Sequence, residues 1–172
     1  MNAWVKISAM SGTPNTADIK SEVERLALAA KSAPEFMSQM VKLLHERMLK
    51  YNWVGFYMLE AAAAGQPPML VLDAFQGAMT PHTRIPLHQG ICGAAASSGK
   101  TVIVDDVSKD PRYLACSLET KSEIVVPVFV RGKVVGELDI DSHFHAAFKE
   151  EDRELVEYCA ALVGRQLEKF QA

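Results

Sequence analysis

Two apolar runs, Ile124 to Val130 and Lys133 to Asp141, are separated only by Arg131-Gly132. This spacing constrains the fold more than any other feature of the chain. A two-residue break ending in glycine is a tight-turn signature, so the runs pair as antiparallel neighbours in one hairpin. The second run closes on Leu138-Asp139-Ile140-Asp141-Ser142, a strict alternation. Leu138 and Ile140 therefore point to one sheet face, and Asp139 and Asp141 to the other at a separation of roughly 7 Å. Like charges side by side on an otherwise apolar hairpin repel unless a cation joins them. Glu123 opens the preceding run, and His143 continues the alternation. Three readings satisfy the pattern. The face is the solvent side of an edge strand, or Asp139, Asp141 and His143 hold a metal ion, or the carboxylates receive an organic ammonium group.

The rest of the chain supplies partners for this hairpin. Asp18 is placed to cap a helix whose apolar positions Ile19, Val23, Leu26 and Ala30 recur at helical spacing, and Pro34 starts a second with the stripe Met37, Met40, Val41, Leu44 and Met48. From Tyr51 the period changes, and Asn52 to Leu59 is apolar on both strand faces, as in a central strand. Met69 to Phe75 returns as its partner. Gln89 to Gly99 has alanines bracketed by glycines and reads as one or two helical turns, followed by a short strand at Thr101 to Val104 and a polar loop from Asp105 to Lys121. A long helix runs from Lys149 with Leu155, Val156, Cys159, Leu162, Val163 and Leu167 on one stripe. The expected fold is α+β: a mostly antiparallel central sheet with the N- and C-terminal helices packed on one side. Residues 1–17 read as a turn-rich extension and 18–172 as one domain.

Composition narrows the function. At 172 residues, 49% of them hydrophobic, the chain builds one core and leaves no room for a sensor with its own output domain. Lys and Arg total 18 against 21 Asp and Glu, with no run of five like charges, which argues against nucleic acid as a ligand. No stretch resembles a signal peptide or reaches the roughly 18 apolar residues of a membrane span, so a cytoplasmic protein without membrane contact is expected. Three cysteines suit a reducing compartment as buried hydrophobes or as redox groups better than as a disulfide framework. Cys116 lies in a loop with Arg112 four residues before it and Lys121 five after it; nearby cations favour a thiolate nucleophile, although an incidental loop thiol fits the same pattern. Cys92, between Gly90 and Gly93 at a helix start, is either a stabilised thiolate or a small packed side chain. Cys159 falls on the core stripe of the last helix.

Taken in order, Tyr51-Asn52-Trp53-Val54-Gly55-Phe56-Tyr57, Phe75-Gln76-Gly77, Arg84-Ile85-Pro86, Gly90-Ile91-Cys92-Gly93, Val104-Asp105-Asp106-Val107, Ala115-Cys116, Ser122-Glu123-Ile124-Val125-Val126-Pro127 and Gly136-Glu137-Leu138-Asp139-Ile140-Asp141-Ser142 resemble the free methionine-(R)-sulfoxide reductases, which are stand-alone GAF domains. The resemblance implies a reaction without cofactor or resident metal. The cysteine matching Cys116 attacks the sulfoxide sulfur, methionine leaves, and the resulting sulfenic acid condenses with a second thiol. Residues matching Glu123, Asp139 and Asp141 engage the substrate amino group and help deliver a proton to the sulfoxide oxygen, while those matching Trp53 and Tyr57 enclose the methylthio end. Thioredoxin or a small thiol is the implied reductant, and a homodimer the implied assembly. One departure stands out. The cysteine that relatives usually carry before Arg-Ile-Pro is missing from Ala78-Met79-Thr80-Pro81-His82-Thr83, which leaves Cys92 as the internal candidate for the resolving thiol. The alternative is a non-catalytic GAF module that senses a small amino-acid-like ligand or redox state and signals to a separate partner.

Overall fold

A computed structural model of the protein describes residues 15–62, 64–115 and 117–171. In chain order the elements are α1 (Thr16–Ala29), α2 (Ala33–Arg47), β1 (Trp53–Glu60), β2 (Met69–Gln76), β3 (Arg84–Pro86), α3 (Gly90–Ser98), β4 (Val102–Val104), a 3-10 turn (Val107–Lys109), β5 (Ser122–Val130), β6 (Lys133–Ser142) and α4 (Glu150–Gln171). The strands form one sheet in the order β3-β2-β1-β6-β5-β4, and every described pairing is antiparallel. The Arg131-Gly132 hairpin joins β5 to β6 as expected. Because β6 is flanked by β1 on one side and β5 on the other, its alternating aspartates do not lie on an edge strand, and the solvent-facing reading of that stretch is wrong.

Alternation sorts the central strands into two cores. Val54 and Phe56 of β1, Ile124, Val126 and Val128 of β5, and Leu138 and Ile140 of β6 pack against α1, α2 and α4. Each such side chain, fully removed from water, contributes about 1.5–3 kcal/mol. The opposite face carries Trp53, Tyr57 and Val125 beneath α3, which buries Ile91, Cys92, Ala95 and Ala96. The N- and C-terminal helices thus share one side, and α3 covers the other.

Local details depart from the sequence reading. Asn15, not Asp18, caps α1: its side chain accepts from the Ala17 N–H, while Asp18 lies in the first turn, where a carboxylate complements the helix dipole. β3 was not expected, and its three residues end in Pro86 and pair only with β2 at the sheet edge. A buried polar anchor ties the sheet to α4. Asp152 accepts hydrogen bonds from the Tyr51 hydroxyl at 2.8 Å, the Lys50 ammonium at 2.5 Å and the Lys149 N–H at 2.9 Å. These bonds hold the chain just before β1 against the start of the last helix.

Candidate active site

Cross-strand register brings the acidic residues together. Asp141 pairs with Trp53 on one side and Glu123 on the other, Asp139 with Gly55 and Val125, and Glu137 with Tyr57 and Pro127. The α3 face of the sheet therefore holds four carboxyl groups, Glu123, Glu137, Asp139 and Asp141, and all four are buried. Among the described residues none of them forms an ion pair. Arg112, the cation whose field reaches Glu123, is held instead by Asp110 through its Nε at 2.9 Å and Nη2 at 2.6 Å. Sequence reasoning missed Glu137, although the signal was present, since Glu137-Leu138-Asp139 extends the same alternation by one more step.

Burial dominates the electrostatics. It pushes Glu123, Glu137 and Asp141 well above the ordinary carboxylate range, and repulsion from Asp139 adds to the shift in each. Asp139 itself rises to about 7, with hydrogen bonds from Cys92 and Glu123 partly opposing the effect of burial. The Cys92 Sγ lies 3.5 Å from Asp139 Oδ2 and 3.9 Å from Glu123 Oε1. Burial, then the fields of Asp139, Glu137 and Glu123, push its thiol far up, so the proximity of the α3 N-terminus does not yield a thiolate here. Cys159 is fully buried on the opposite side of the sheet, among the α4 core residues.

Aromatic side chains flank the acidic cluster on the same sheet face. Trp53 stacks on Tyr57 with ring centroids 6.1 Å apart and on Phe75 at 5.8 Å. The indole lies across Gly55 and against Gly77, where a Cβ at either position would collide with it; Gly77 also has φ +118°. Trp53 Nε1 donates to the Ala78 carbonyl at 3.0 Å and the Tyr57 hydroxyl to the His82 carbonyl at 2.8 Å, so the 77–83 loop hangs from these two rings. A cavity of about 80 Å3 remains between Trp53, Met79, Thr80, Ser117, Thr120 and Asp141. A roomier groove of about 350 Å3 lies between β5 and α4, lined by Phe129 and Gly164, away from the acidic cluster.

Cys116 lies outside the described residues. Its chain neighbours meet the site: the Ala115 carbonyl is 3.3 Å from His82 Nε2, and Ser117 lines the cavity beside Asp141. His143 does not join Asp139 and Asp141 in a metal site. Its ring is exposed, 3.7 Å from Glu119, and its backbone N–H donates to Asn52 Oδ1 at 2.8 Å. Among the described residues, Cys92, Glu123 and Asp139 could together hold a cation.

The GAF domain family matches residues 33–167. The free methionine-R-sulfoxide reductase of Escherichia coli is 34% identical over 163 residues, covering 95% of this chain and 92% of that protein. Among solved structures, the free methionine-R-sulfoxide reductase of Neisseria meningitidis in complex with its substrate superposes with a TM-score of 0.82 at 33% identity, covering 91% and 90% of the two chains. The type II enzyme of Thermoplasma acidophilum superposes with a TM-score of 0.73 at 37% identity, covering 89% of this chain and 97% of its own. The chain belongs to the GAF-domain family and, within it, to the free methionine-R-sulfoxide reductases.

Proposed function

We propose that the protein reduces free L-methionine (R)-S-oxide to methionine through Cys116. The observation that carries this reading is the set of four buried carboxyl groups, without a basic partner among the described residues, beside Trp53 and Tyr57 on one sheet face. A free amino acid supplies the missing positive charge through its ammonium, received by Glu123, Asp139 and Asp141, while Trp53 and Tyr57 flank the methylthio end. Burial favours the protonated forms of these carboxyls, so one of them can pass a proton to the sulfoxide oxygen. Attack by the Cys116 sulfur then transfers that oxygen: methionine departs reduced, and the cysteine is left as a sulfenic acid. The cavity is smaller than the ~150 Å3 that suits a benzene-sized ligand, so substrate access requires the 77–83 and 105–121 loops to move.

A second thiol closes the cycle by condensing with the sulfenic acid and releasing water. Cys92 is the described thiol on the pocket side of the sheet, but burial, reinforced by the acidic groups around it, favours its protonated form, and a thiol attacks as its thiolate. This favours a thiol from outside, either a small molecule or the dithiol of thioredoxin acting directly on Cys116. A homodimer remains part of the proposal. The apolar stripes of α1 and α2 are spent on the core, leaving exposed Leu28 and Leu49 for a subunit contact.

Turnover of the purified (R)-sulfoxide with dithiothreitol tests the reading. Wild type should consume it and Cys116→Ser should not; absence of wild-type turnover, or full activity in Cys116→Ser, overturns it. Binding of methionine sulfoxide without turnover would instead favour the sensing module.

A further inference from the structure

Cys92, Glu123 and Asp139 each direct one ligand atom into the same small volume, all within 4.8 Å of one another. The sulfur-to-oxygen edges of this group are 3.5 Å and 3.9 Å. A tetrahedral zinc ion, with Zn–S of about 2.3 Å and Zn–O of about 2.1 Å, sets a sulfur and an oxygen about 3.6 Å apart. The two edges bracket that value without any movement of the backbone. A thiol proton can serve only one of the two carboxyls at a time, whereas a cation at the centre serves both.

Independent of these edges, the cluster contains oxygens short of partners. Glu137 is completely buried, its carboxyl met by the Cys92 thiol and by no other hydrogen-bond donor among the described residues, and Asp139 Oδ1 has no partner among them. Glu137 shares the strand face of Asp139, and its field reaches the Cys92 thiol. Buried polar atoms are rarely left without partners, and oxygens gathered around a sulfur are suited to a cation.

We propose that Cys92, Glu123 and Asp139, with the Glu137 carboxyl beside Cys92 adding its negative field, form a binding site for a thiophilic divalent cation of the Zn2+ type. The donor set selects the metal. Mg2+ and Ca2+ require six or more oxygen ligands, whereas three or four ligands that include a thiolate suit zinc. As the ion binds, the thiol proton and the protons held by the ligating carboxyl groups leave to solvent. The bound ion occupies the place of the substrate ammonium, so zinc and methionine sulfoxide exclude each other. This exclusion rests on the pocket assignment above, but metal binding does not.

Full-length protein, reduced and freed of thiols under argon, is titrated with Zn2+ against a chromophoric chelator. Co2+ replaces Zn2+ in a parallel titration to report thiolate coordination through its ultraviolet charge-transfer band. One equivalent should bind with the band present in wild type and in Cys116→Ser, and the band should disappear in Cys92→Ser. Zn2+ affinity should fall at least about tenfold in Cys92→Ser and in Glu137→Gln, which preserves side-chain volume and so the fold. No bound equivalent, a band that persists in Cys92→Ser, a band that vanishes in Cys116→Ser, or unchanged affinity in Glu137→Gln overturns the site. Zn2+ that binds through Cys92 but is not displaced by the (R)-sulfoxide overturns the mutual exclusion and the pocket assignment while upholding the metal site.

Discussion

Replacing Asp139 by asparagine should make the protein more stable, and by an amount that grows with pH. Folding lifts this carboxyl from 3.8 to about 7. The folded chain therefore binds the proton more tightly than the unfolded chain. Stability is complete below the unfolded value and is lost as pH rises from about 4 through about 7. At pH 8 the ionised side chain costs the folded state up to about 4 kcal/mol. Protons are shared across the cluster, so removing one site recovers about 2–4 kcal/mol, and the amide that replaces the carboxyl still offers Cys92 an oxygen. For a chain of this size that corresponds to a melting-temperature gain of roughly 5–12 °C. At pH 5 only about a third of the cost has developed, and the gain should shrink to about 1 kcal/mol. Urea unfolding of both proteins at pH 5 and pH 8 measures the difference, with activity expected to fall in the variant. Equal stabilities at pH 8, or a difference that does not change between the two pH values, would refute the assignment of this cost to a buried, ionisable Asp139.

Intact mass after one turnover without reductant should show a Cys116 sulfenic acid gaining one oxygen; a Cys92–Cys116 disulfide would place resolution inside the chain instead. Calorimetry of methionine (R)-sulfoxide binding at pH 6, repeated in buffers of different ionisation enthalpy, should register protons released from the cluster as the ammonium arrives, and identical heats would contradict this. Asp152→Ala strips the Tyr51 hydroxyl and Lys50 of their shared acceptor and should cost about 3 kcal/mol in denaturant unfolding, with little change in KM. Gly55→Ala drives a methyl group into the Trp53 indole; a loss of about 1–3 kcal/mol together with a raised KM is expected, and an unchanged KM would separate the indole from the substrate.

Much of this site is local in the sequence and some of it is not. The alternation from Asp139 to Asp141 reveals which residues share a face, because side chains in a strand have a fixed period. It cannot reveal whether that face meets water, since this depends on β1 pairing with β6 across more than 80 residues and on α3 closing above. Cys92 illustrates the same limit. Its glycine-flanked position at a helix start suggests a stabilised thiolate, yet its partners lie 31 and 47 residues away and reverse the inference. Asn15 went unnoticed as the cap of α1 because Asp18, three residues later, is of a residue type equally suited to that role. β3 escaped notice because three residues are too few to show a period.

A cluster of four buried acids is a costly feature, and in the proposed substrate pocket that cost would set the selectivity. Without ligand the carboxyls are driven toward their neutral forms, and the thiol of Cys92 beside them stays protonated. An arriving ammonium reverses this balance, because a charged carboxylate next to it is favoured where an isolated one is not. Under the proposed function, binding energy would therefore be available only to a molecule that brings a positive charge to the face shared by these acids with Trp53 and Tyr57. The amide nitrogen of a methionine residue within a protein carries no charge, and burying it against these oxygens would leave the acids as poorly satisfied as before. On the proposed assignment, discrimination between the free amino acid and the same side chain in a polypeptide would thus follow from the electrostatics of Glu123, Asp139 and Asp141, before any steric exclusion by the 77–83 loop is considered.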